Sequence, residues 1–184
     1  MTILVDIDNT ITNFSEVLLQ ANNNEYDTDY TYNQITSYDW FNKTFEDPWF
    51  ITTRYYFWNR VKVSPEAVST IESWVKQGHK VLLVTASYFS DALGHKIEKT
   101  LEPFNPELIN ERNVIIAQDK SSIMGDAMID DCVDNLDNFN GLRICFAQPW
   151  NREYRGSRSC SWNAIDKIIQ HVNFCFYEED DVVF

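Results

Sequence analysis

Three apolar residues near the start of this chain lead directly into a pair of aspartates, in the run ILVDIDNT. A short apolar run of this kind favours a buried β-strand. Strand side chains alternate between the two faces, so Asp6 and Asp8 would point the same way if the strand continued. Two like charges beside buried residues cost several kcal/mol unless they are paired or bind a metal. The run therefore predicts a strand that ends at a cation site.

The remainder of the chain alternates strand-like runs with helical patterns. Further strands are predicted in KVLLVTAS, at 114–117, in IMGDAMIDD and in LRICFA. Helices are predicted from Asn13, in a capping box with Glu16, at 89–101, in SPEAVSTIESWVKQG and in SWNAIDKIIQHV. This alternation predicts an α/β fold, with a Rossmann-like parallel sheet flanked by helices.

The segment 22–63 differs from the rest because it is rich in Asn, Tyr, Thr and Trp and has no clear period. We interpret it as a small aromatic-rich helical cap, inserted after the first strand. Residues 1–21 and 64–173 would then form the α/β core. The acidic segment 174–184 is expected to be a frayed tail.

The formal net charge of -13 disfavours a nucleic-acid duplex or an anionic membrane as the partner. No stretch approaches the roughly 20 apolar residues of a membrane span, and no signal peptide is recognised at the N-terminus. The four cysteines are widely spaced and form no CxxC pair. These observations favour reduced thiols in a cytoplasmic protein. Whether the chain forms a homodimer is left open.

Chemically reactive side chains follow several of the predicted strands. Because parallel strands end at one edge of the sheet, near its switch point, these side chains are expected to meet there. They are Asp6, Asp8, Thr85, Asp130 and Asp131, with Lys120 in a nearby loop. Each signal is weak by itself in a chain with 28 acidic residues. Their joint placement predicts one site.

Several carboxylates at one point are suited to Mg²⁺, which prefers oxygen ligands. A carboxylate also can attack phosphorus and form an aspartyl-phosphate. Lys120 and the metal would neutralise phosphate charge, while Thr85 and backbone N–H groups hold the phosphate oxygens. A second carboxylate could protonate the leaving alcohol and later activate water.

The motifs DIDNT, VLLVTAS, DKSS and GDAMIDD resemble, in this order, those of the haloacid dehalogenase-like phosphohydrolases. The resemblance implies that Asp6 is the nucleophile and Asp8 the acid/base. It implies that Asp130 and Asp131 form the acidic end of the metal site, together with Asp6 and Asp8. Asp8 would typically supply its backbone carbonyl, and Lys120 would bind phosphate.

Within that superfamily the chain is most similar to the 5'(3')-deoxyribonucleotidases. The likeness rests on Phe14, six residues after Asp8, on DKSSIMGDAMIDD, and on FAQPWNRE followed by SWNAI. One departure is Ala86, where relatives carry a second hydroxyl, so phosphate contacts there rely on Thr85 and on the backbone at Ala86. Phe14 and Trp40 are the first choices for stacking on a base.

The sequence thus predicts a Mg²⁺-dependent phosphatase that acts on (deoxy)nucleoside monophosphates through an aspartyl-phosphate. Its predicted partner is a small nucleotide. Two alternatives remain open: a phosphatase of the same type that acts on another small phosphate ester, and a catalytically silent nucleotide-binding protein.

Overall fold

The computed structural model describes residues 1–87 and 90–180, with side chains described for 1–87 and 92–172. The described part contains a six-stranded parallel sheet in the order β3-β2-β1-β4-β5-β6. The strands are β1 (Thr2–Asp6), β2 (Lys80–Thr85), β3 (Val114–Ile116), β4 (Ala127–Asp130), β5 (Leu142–Phe146) and β6 (Ser157–Ser159). The predicted α/β fold with a Rossmann-like parallel sheet is confirmed. Strand β1 lies where the strand order reverses, between β2 and β4.

The helices lie between the strands and in the segment that follows β1. They are α1 (Phe14–Tyr26), α2 (Trp40–Thr44), α3 (Tyr55–Trp58), α4 (Pro65–Lys76), α5 (Ser90–Leu101), α6 (Val133–Asp137) and α7 (Trp162–Asp180). Helix α4 begins as its sequence predicts, because the Ser64 hydroxyl accepts a hydrogen bond from the Ala67 N–H. It ends before Gly78, whose φ of +88° is a conformation that favours glycine.

Two apolar clusters cover the two faces of the sheet. On one face, α4 and α7 pack on residues such as Ile3, Val5 and Ile129, all fully buried. The Trp74 indole donates a hydrogen bond to Asp166 over 2.7 Å and so joins α4 to α7. On the other face, a smaller cluster forms around Leu4, Val84, Met128, Leu136 and Phe139. Burial of each large aliphatic side chain contributes roughly 1.5–3 kcal/mol.

Segment 22–63, which we call the cap, consists of short helices and 3₁₀ turns. A third cluster holds it together and contains Phe41, Phe45, Phe57 and Trp58. The buried face of α1 belongs to this same cluster. The cap therefore packs on α1, with few aliphatic side chains and many aromatic rings.

The chain leaves and re-enters the core at one narrow neck. Thr12 and Val63 form an isolated antiparallel bridge. Beside it, Ser64 N–H donates to the Ile11 carbonyl over 2.8 Å, and the Lys62 N–H donates to the Asn13 side chain over 2.7 Å. These contacts close the segment 13–62, which contains α1 together with most of the cap.

Three details differ from the sequence predictions. Asn13 does not cap α1 with its side chain; instead the Asn9 side chain accepts from the Ser15 N–H over 2.7 Å. Strand β6 was not predicted, since SRS is short and polar and pairs with β5 only at the sheet edge. Helix α7 continues to Asp180, into the segment expected to be a tail. Residue 89, the predicted start of α5, and residues 181–184 lie outside the described residues.

No helix in the described part of the chain is both long enough and apolar enough to span a membrane.

Candidate functional site

The carboxyl ends of two neighbouring strands bring three aspartates together. Asp6 is the last residue of β1, Asp130 is the last residue of β4, and Asp131 follows it directly. Strands β1 and β4 pair in parallel register, with Val5 opposite Ile129, so both strands end at the same level. One carboxylate oxygen from each aspartate lies within 4.8 Å of the others, and all three residues are buried.

Lys120 lies within this acidic cluster. Its ammonium group donates hydrogen bonds to Asp6 Oδ1 and, over 2.8 Å, to Asp130 Oδ2. The lysine is 5% exposed and reaches the cluster from a 3₁₀ turn whose start is capped by the Asp119 side chain. One cation therefore faces three carboxylates, which leaves two negative charges in the buried cluster.

Burial and the repulsion between carboxylates raise the pKa values of two aspartates in this cluster. Burial raises the pKa of Asp6 to about 7, against the attraction of Lys120 and with added repulsion from Asp130 and Asp8. Burial, then repulsion from Asp6 and Asp130, also holds the pKa of Asp131 well above its ordinary value. Burial acts to lower the pKa of Lys120, but the two carboxylates it contacts outweigh this effect and raise it. Lys120 thus remains charged.

Two carboxylate oxygens at this site lack the partner that buried oxygens ordinarily have. Within the described residues, Asp6 Oδ2 and Asp8 Oδ1 are buried and have no hydrogen-bond partner. Unpaired buried carboxylate oxygens are unfavourable unless an ion or another group contacts them. The buried charge of the cluster and its oxygen-only donors fit Mg²⁺, a hard cation that prefers such ligands.

The two acids at the end of β4 differ in their contacts. Asp130 is bonded through Oδ1 to the Cys132 N–H and through Oδ2 to Lys120 and Asn135. The Asp131 side chain instead accepts from the Trp150 indole over 3.0 Å. The Asp131 carboxylate therefore has the fewer of these hydrogen bonds.

The Asp8 side chain is separate from the three-carboxylate cluster. Asp8 was predicted to serve the metal through its backbone carbonyl, which stays a prediction; its side-chain Oδ2 accepts from Lys96 Nζ over 2.5 Å. Lys96 also donates to Thr85 Oγ1 over 3.1 Å and to the Ala86 carbonyl over 2.8 Å. This lysine thus joins Asp8 to the end of β2, where the predicted phosphate-binding residues Thr85 and Ala86 lie.

Lys96 was not predicted from the sequence. It lies in the middle of α5, a position typical of a solvated lysine, yet it is 4% exposed. The helical period supplied a signal: Lys96 shares a face with the buried residues Ala92 and Thr100, four residues away on either side. A lysine on the buried face of a helix is therefore a candidate site residue.

A cavity opens from Asp8 and Lys96 towards the cap. Its lining includes Phe14, as predicted from the sequence, with Trp49 of the cap. The Phe14 and Trp49 rings are nearly parallel, with centroids 6.4 Å apart and an interplanar angle of 9°. Further lining residues are Asn9, Ser15, Ile35, Ser37, Tyr38, Asp39, Phe41, Asn42, Thr52, Trp58, Ala86, Ser87, Ala92 and Trp150. Charged and aromatic side chains line the same part of the cavity, since Lys96 Nζ lies 5.7 Å from the ring centroids of both Phe14 and Trp58.

Trp40, the other predicted base-stacking residue, does not line this cavity. Its ring packs edge-on against Tyr30, Phe41 and Phe45, at centroid distances of 5.3 to 5.9 Å. Trp49, nine residues along the chain, lines the cavity; which ring stacks on a base stays a prediction. The segment has no period from which the inward-facing tryptophan could have been chosen.

Comparison with known proteins agrees with this geometry. Residues 1–174 match the family described as 5' nucleotidase, deoxy (pyrimidine), cytosolic type C protein. Proteins called 5'(3')-deoxyribonucleotidase, from Bacillus subtilis (strain 168) and from Bacillus phage SPbeta, are each 35% identical over 94 residues. That alignment covers 50% of this chain and 54% of each relative. The chain thus spans about half the length of the curated relatives it matches.

Two solved structures share the fold. A hydrolase from Pseudomonas syringae aligns with a TM-score of 0.52 and 11% identity, over 86% of this chain and 91% of its own. A protein described as a predicted phosphatase from Clostridium acetobutylicum aligns with a TM-score of 0.53 and 14% identity, over 92% and 98%. At such identities these structures support the architecture alone.

Proposed function

The chain belongs to the 5' nucleotidase, deoxy (pyrimidine), cytosolic type C family, and we propose that it hydrolyses (deoxy)nucleoside monophosphates with the help of Mg²⁺. One observation carries the proposal. Three buried carboxylates, from Asp6, Asp130 and Asp131, lie within 4.8 Å of one another. A cavity lined by Asp8, Lys96 and several aromatic rings adjoins them at Trp150, which donates to Asp131. The cluster suits a metal and a phosphate, and the aromatic lining suits a base.

In the proposed reaction Asp6 is the nucleophile. Its Oδ1 is held by Lys120, and its Oδ2 has no hydrogen-bond partner among the described residues, so Oδ2 is available to attack. Attack at phosphorus forms the aspartyl-phosphate and breaks the bond to the ester oxygen of the nucleoside. When bound, Mg²⁺ would neutralise negative charge on the phosphoryl oxygens and on the carboxylates.

In this scheme Asp8 first donates a proton to the leaving group and later accepts one from water. Lys96 holds its Oδ2, while Oδ1 has no partner in the described part of the chain and can carry the proton. The acid form protonates the departing nucleoside oxygen. Its carboxylate then accepts a proton from the water that attacks the aspartyl-phosphate, which releases inorganic phosphate and restores Asp6.

The remaining residues bind the substrate. Lys120, Thr85 and the backbone at Ala86 are assigned to the phosphate, with Lys96 as an additional cation beside Asp8. Asp131 is assigned as a direct metal ligand together with Asp6, because the Asp130 oxygens already accept three hydrogen bonds. The backbone carbonyl of Asp8 is proposed as a further ligand.

The aromatic lining of the cavity favours a nucleotide over a sugar phosphate. Phe14 and Trp49 line it with nearly parallel rings, to which a flat base is better matched than a sugar. Another small phosphate ester remains the alternative substrate. A silent binding protein is less well supported, because the nucleophile and the acid/base candidate are both present.

We also propose a cellular location for the enzyme. Cys132, Cys145 and Cys160 are free thiols in the described part of the chain, which supports a reducing, cytoplasmic location.

The test is a hydrolysis screen across nucleoside 5'- and 3'-monophosphates, sugar phosphates and an aryl phosphate, with and without Mg²⁺. We expect phosphate release from deoxynucleoside monophosphates that EDTA abolishes and Mg²⁺ restores. Equal turnover of sugar phosphates would contradict the nucleotide assignment, and full turnover without any metal would contradict the proposed cofactor.

A further inference from the structure

The loop that follows β5, from Gln148 to Asn151, contacts the acidic cluster on one side. We call it the bridging loop. Its Trp150 donates the indole N–H to Asp131 Oδ2 over 3.0 Å, and its Asn151 side chain donates to the Asp131 carbonyl over 2.8 Å. Both the side chain and the backbone of one candidate metal ligand are therefore held by this loop.

The cap contacts the same loop from the other side. The Tyr32 ring packs edge-on against Trp150, with centroids 6.0 Å apart and an interplanar angle of 68°. The Tyr32 hydroxyl donates to Gln148 Oε1 over 2.8 Å. Burial, and then the Asp131 carboxylate, raise the pKa of Tyr32, so its hydroxyl stays protonated and remains a donor.

The bridging loop is held in one conformation by its own hydrogen bonds. The Gln148 N–H donates to Asn151 Oδ1 over 2.9 Å, and Arg158 donates to both residues over 3.0 Å. The Gln148 side chain also donates to the Asn9 carbonyl over 2.5 Å, just after Asp8. The contact of the cap at Tyr32 therefore connects to Asp131 through a segment held by hydrogen bonds at both Gln148 and Asn151.

A hydrogen bond to one oxygen of a carboxylate fixes the plane of the group and leaves the other oxygen for a cation. Partners of this kind set the orientation of metal ligands, and their loss lowers metal affinity by about 10- to 100-fold. Trp150 is the described side chain that makes this contact with Asp131.

We propose that Trp150 is a positioning residue of the metal centre, and that Tyr32 of the cap acts on Mg²⁺ affinity through it. The inference rests on the proposed function only in that the acidic cluster binds Mg²⁺. It adds a coupling between the cap, where the base would bind, and the metal site. Because such coupling is reciprocal, Mg²⁺ in turn favours the cap position in which Tyr32 contacts Trp150.

The test is calorimetric titration of Mg²⁺ into substrate-free protein, with thermal unfolding of each variant recorded alongside. Trp150→Phe keeps an aromatic ring against Tyr32 but removes the donor to Asp131, and we expect about tenfold weaker binding. Tyr32→Leu removes the ring that supports Trp150, and we expect about threefold weaker binding. Trp40→Phe is the matched control, since Trp40 packs within the cap away from Asp131, and it should bind Mg²⁺ like the wild type.

The double variant decides whether Tyr32 acts through Trp150. In the Trp150→Phe background, Tyr32→Leu should cause no further loss of Mg²⁺ affinity. Additive losses, or wild-type affinity in Trp150→Phe, would overturn the inference while leaving the nucleotidase proposal intact. Failure of the wild type to bind Mg²⁺ would overturn both. An equal loss in Trp40→Phe would also contradict the inference, since it would indicate a general effect of altering the cap.

Discussion

Lys96 Nζ lies 2.5 Å from Asp8 Oδ2, although 88 residues separate the two along the chain. The lysine side chain is 5% exposed and the aspartate side chain 24%. The same ammonium group bonds to Thr85 and to the Ala86 carbonyl. Lys96 therefore links the acid/base candidate to the phosphate-binding end of β2, and it is the first target for mutagenesis.

Lys96→Met is expected to lower kcat about 100-fold, because removal of one charged donor from a buried site costs on that order. The substitution also leaves Asp8 without its cation. Steady-state kinetics on a deoxynucleoside monophosphate measure the effect. The control is Lys99→Met, three residues after Lys96 on α5, which removes an ion pair with the exposed Glu102 and should keep its activity. Unchanged kcat in Lys96→Met would contradict the assignment.

Asp6→Asn and Asp8→Asn are expected to fail at different steps. An amide cannot attack phosphorus, so Asp6→Asn should form no covalent phosphate adduct. Asp8→Asn should bind substrate but turn over slowly, since proton transfer contributes about 10²- to 10⁴-fold. Crystals grown with beryllium fluoride and Mg²⁺ provide the check. A fluoride adduct on a residue other than Asp6 would exclude the proposed nucleophile.

Asp131→Asn is expected to raise the Mg²⁺ concentration needed for half-maximal activity by tenfold or more, on the order seen when metal-site contacts are lost. Activity measured across a Mg²⁺ series after EDTA treatment gives this value. Asp134→Asn removes an exposed acid from nearby α6 and should leave the requirement unchanged. Equal shifts in the two variants would indicate a loss of general negative charge.

Trp49→Ala is expected to raise KM for nucleoside monophosphates about 10- to 100-fold, since a stacked base is worth roughly 1–3 kcal/mol. Hydrolysis of a small aryl phosphate, which lacks a base, should change little. Trp40→Ala is the control: its ring packs inside the cap, so we expect lower thermal stability with a KM near that of the wild type. If Trp49→Ala impairs the hydrolysis of both substrates equally, Trp49 stabilises the fold and does not stack on the base.

His79 is expected to make stability depend on pH. Burial, then the nearby N-terminal amine, lower its pKa from 6.5, with Asp166 acting in the opposite direction. Because the unfolded chain binds the proton more readily, stability is complete above pH 6.5 and falls as the pH drops through that value. Asp6 and Asp131, whose pKa values are raised, contribute the opposite slope in the same range. The contribution of His79 is therefore measured as the difference between the wild type and His79→Asn in chemical denaturation between pH 5 and 8, and this difference should grow as the pH falls. His171→Asn, at an exposed position of α7, is the control.

The sequence predicted those parts of the molecule that depend on local pattern. Asp6, Thr85 and Asp130 end apolar strands, and parallel pairing brings such ends together whatever connects them. Lys96 was not predicted, because the helical period shows only that it lies on the buried face of α5, and the sequence does not indicate that this face meets Asp8. Trp40 was preferred over Trp49 because short helices and 3₁₀ turns have no period that distinguishes inward from outward rings.

The neck at Thr12 and Val63 has a consequence for engineering and for evolution. The segment between Thr12 and Val63 is closed by hydrogen bonds where it leaves and re-enters the core. Its ends therefore stay fixed whatever lies between them. Doubling the length of such a closed segment costs only about 0.6 kcal/mol in loop entropy. The intervening residues are therefore exchangeable as a module: a transplanted segment joined at the same two positions, with a residue that contacts Trp150 as Tyr32 does, would keep the acidic cluster and change the choice of substrate.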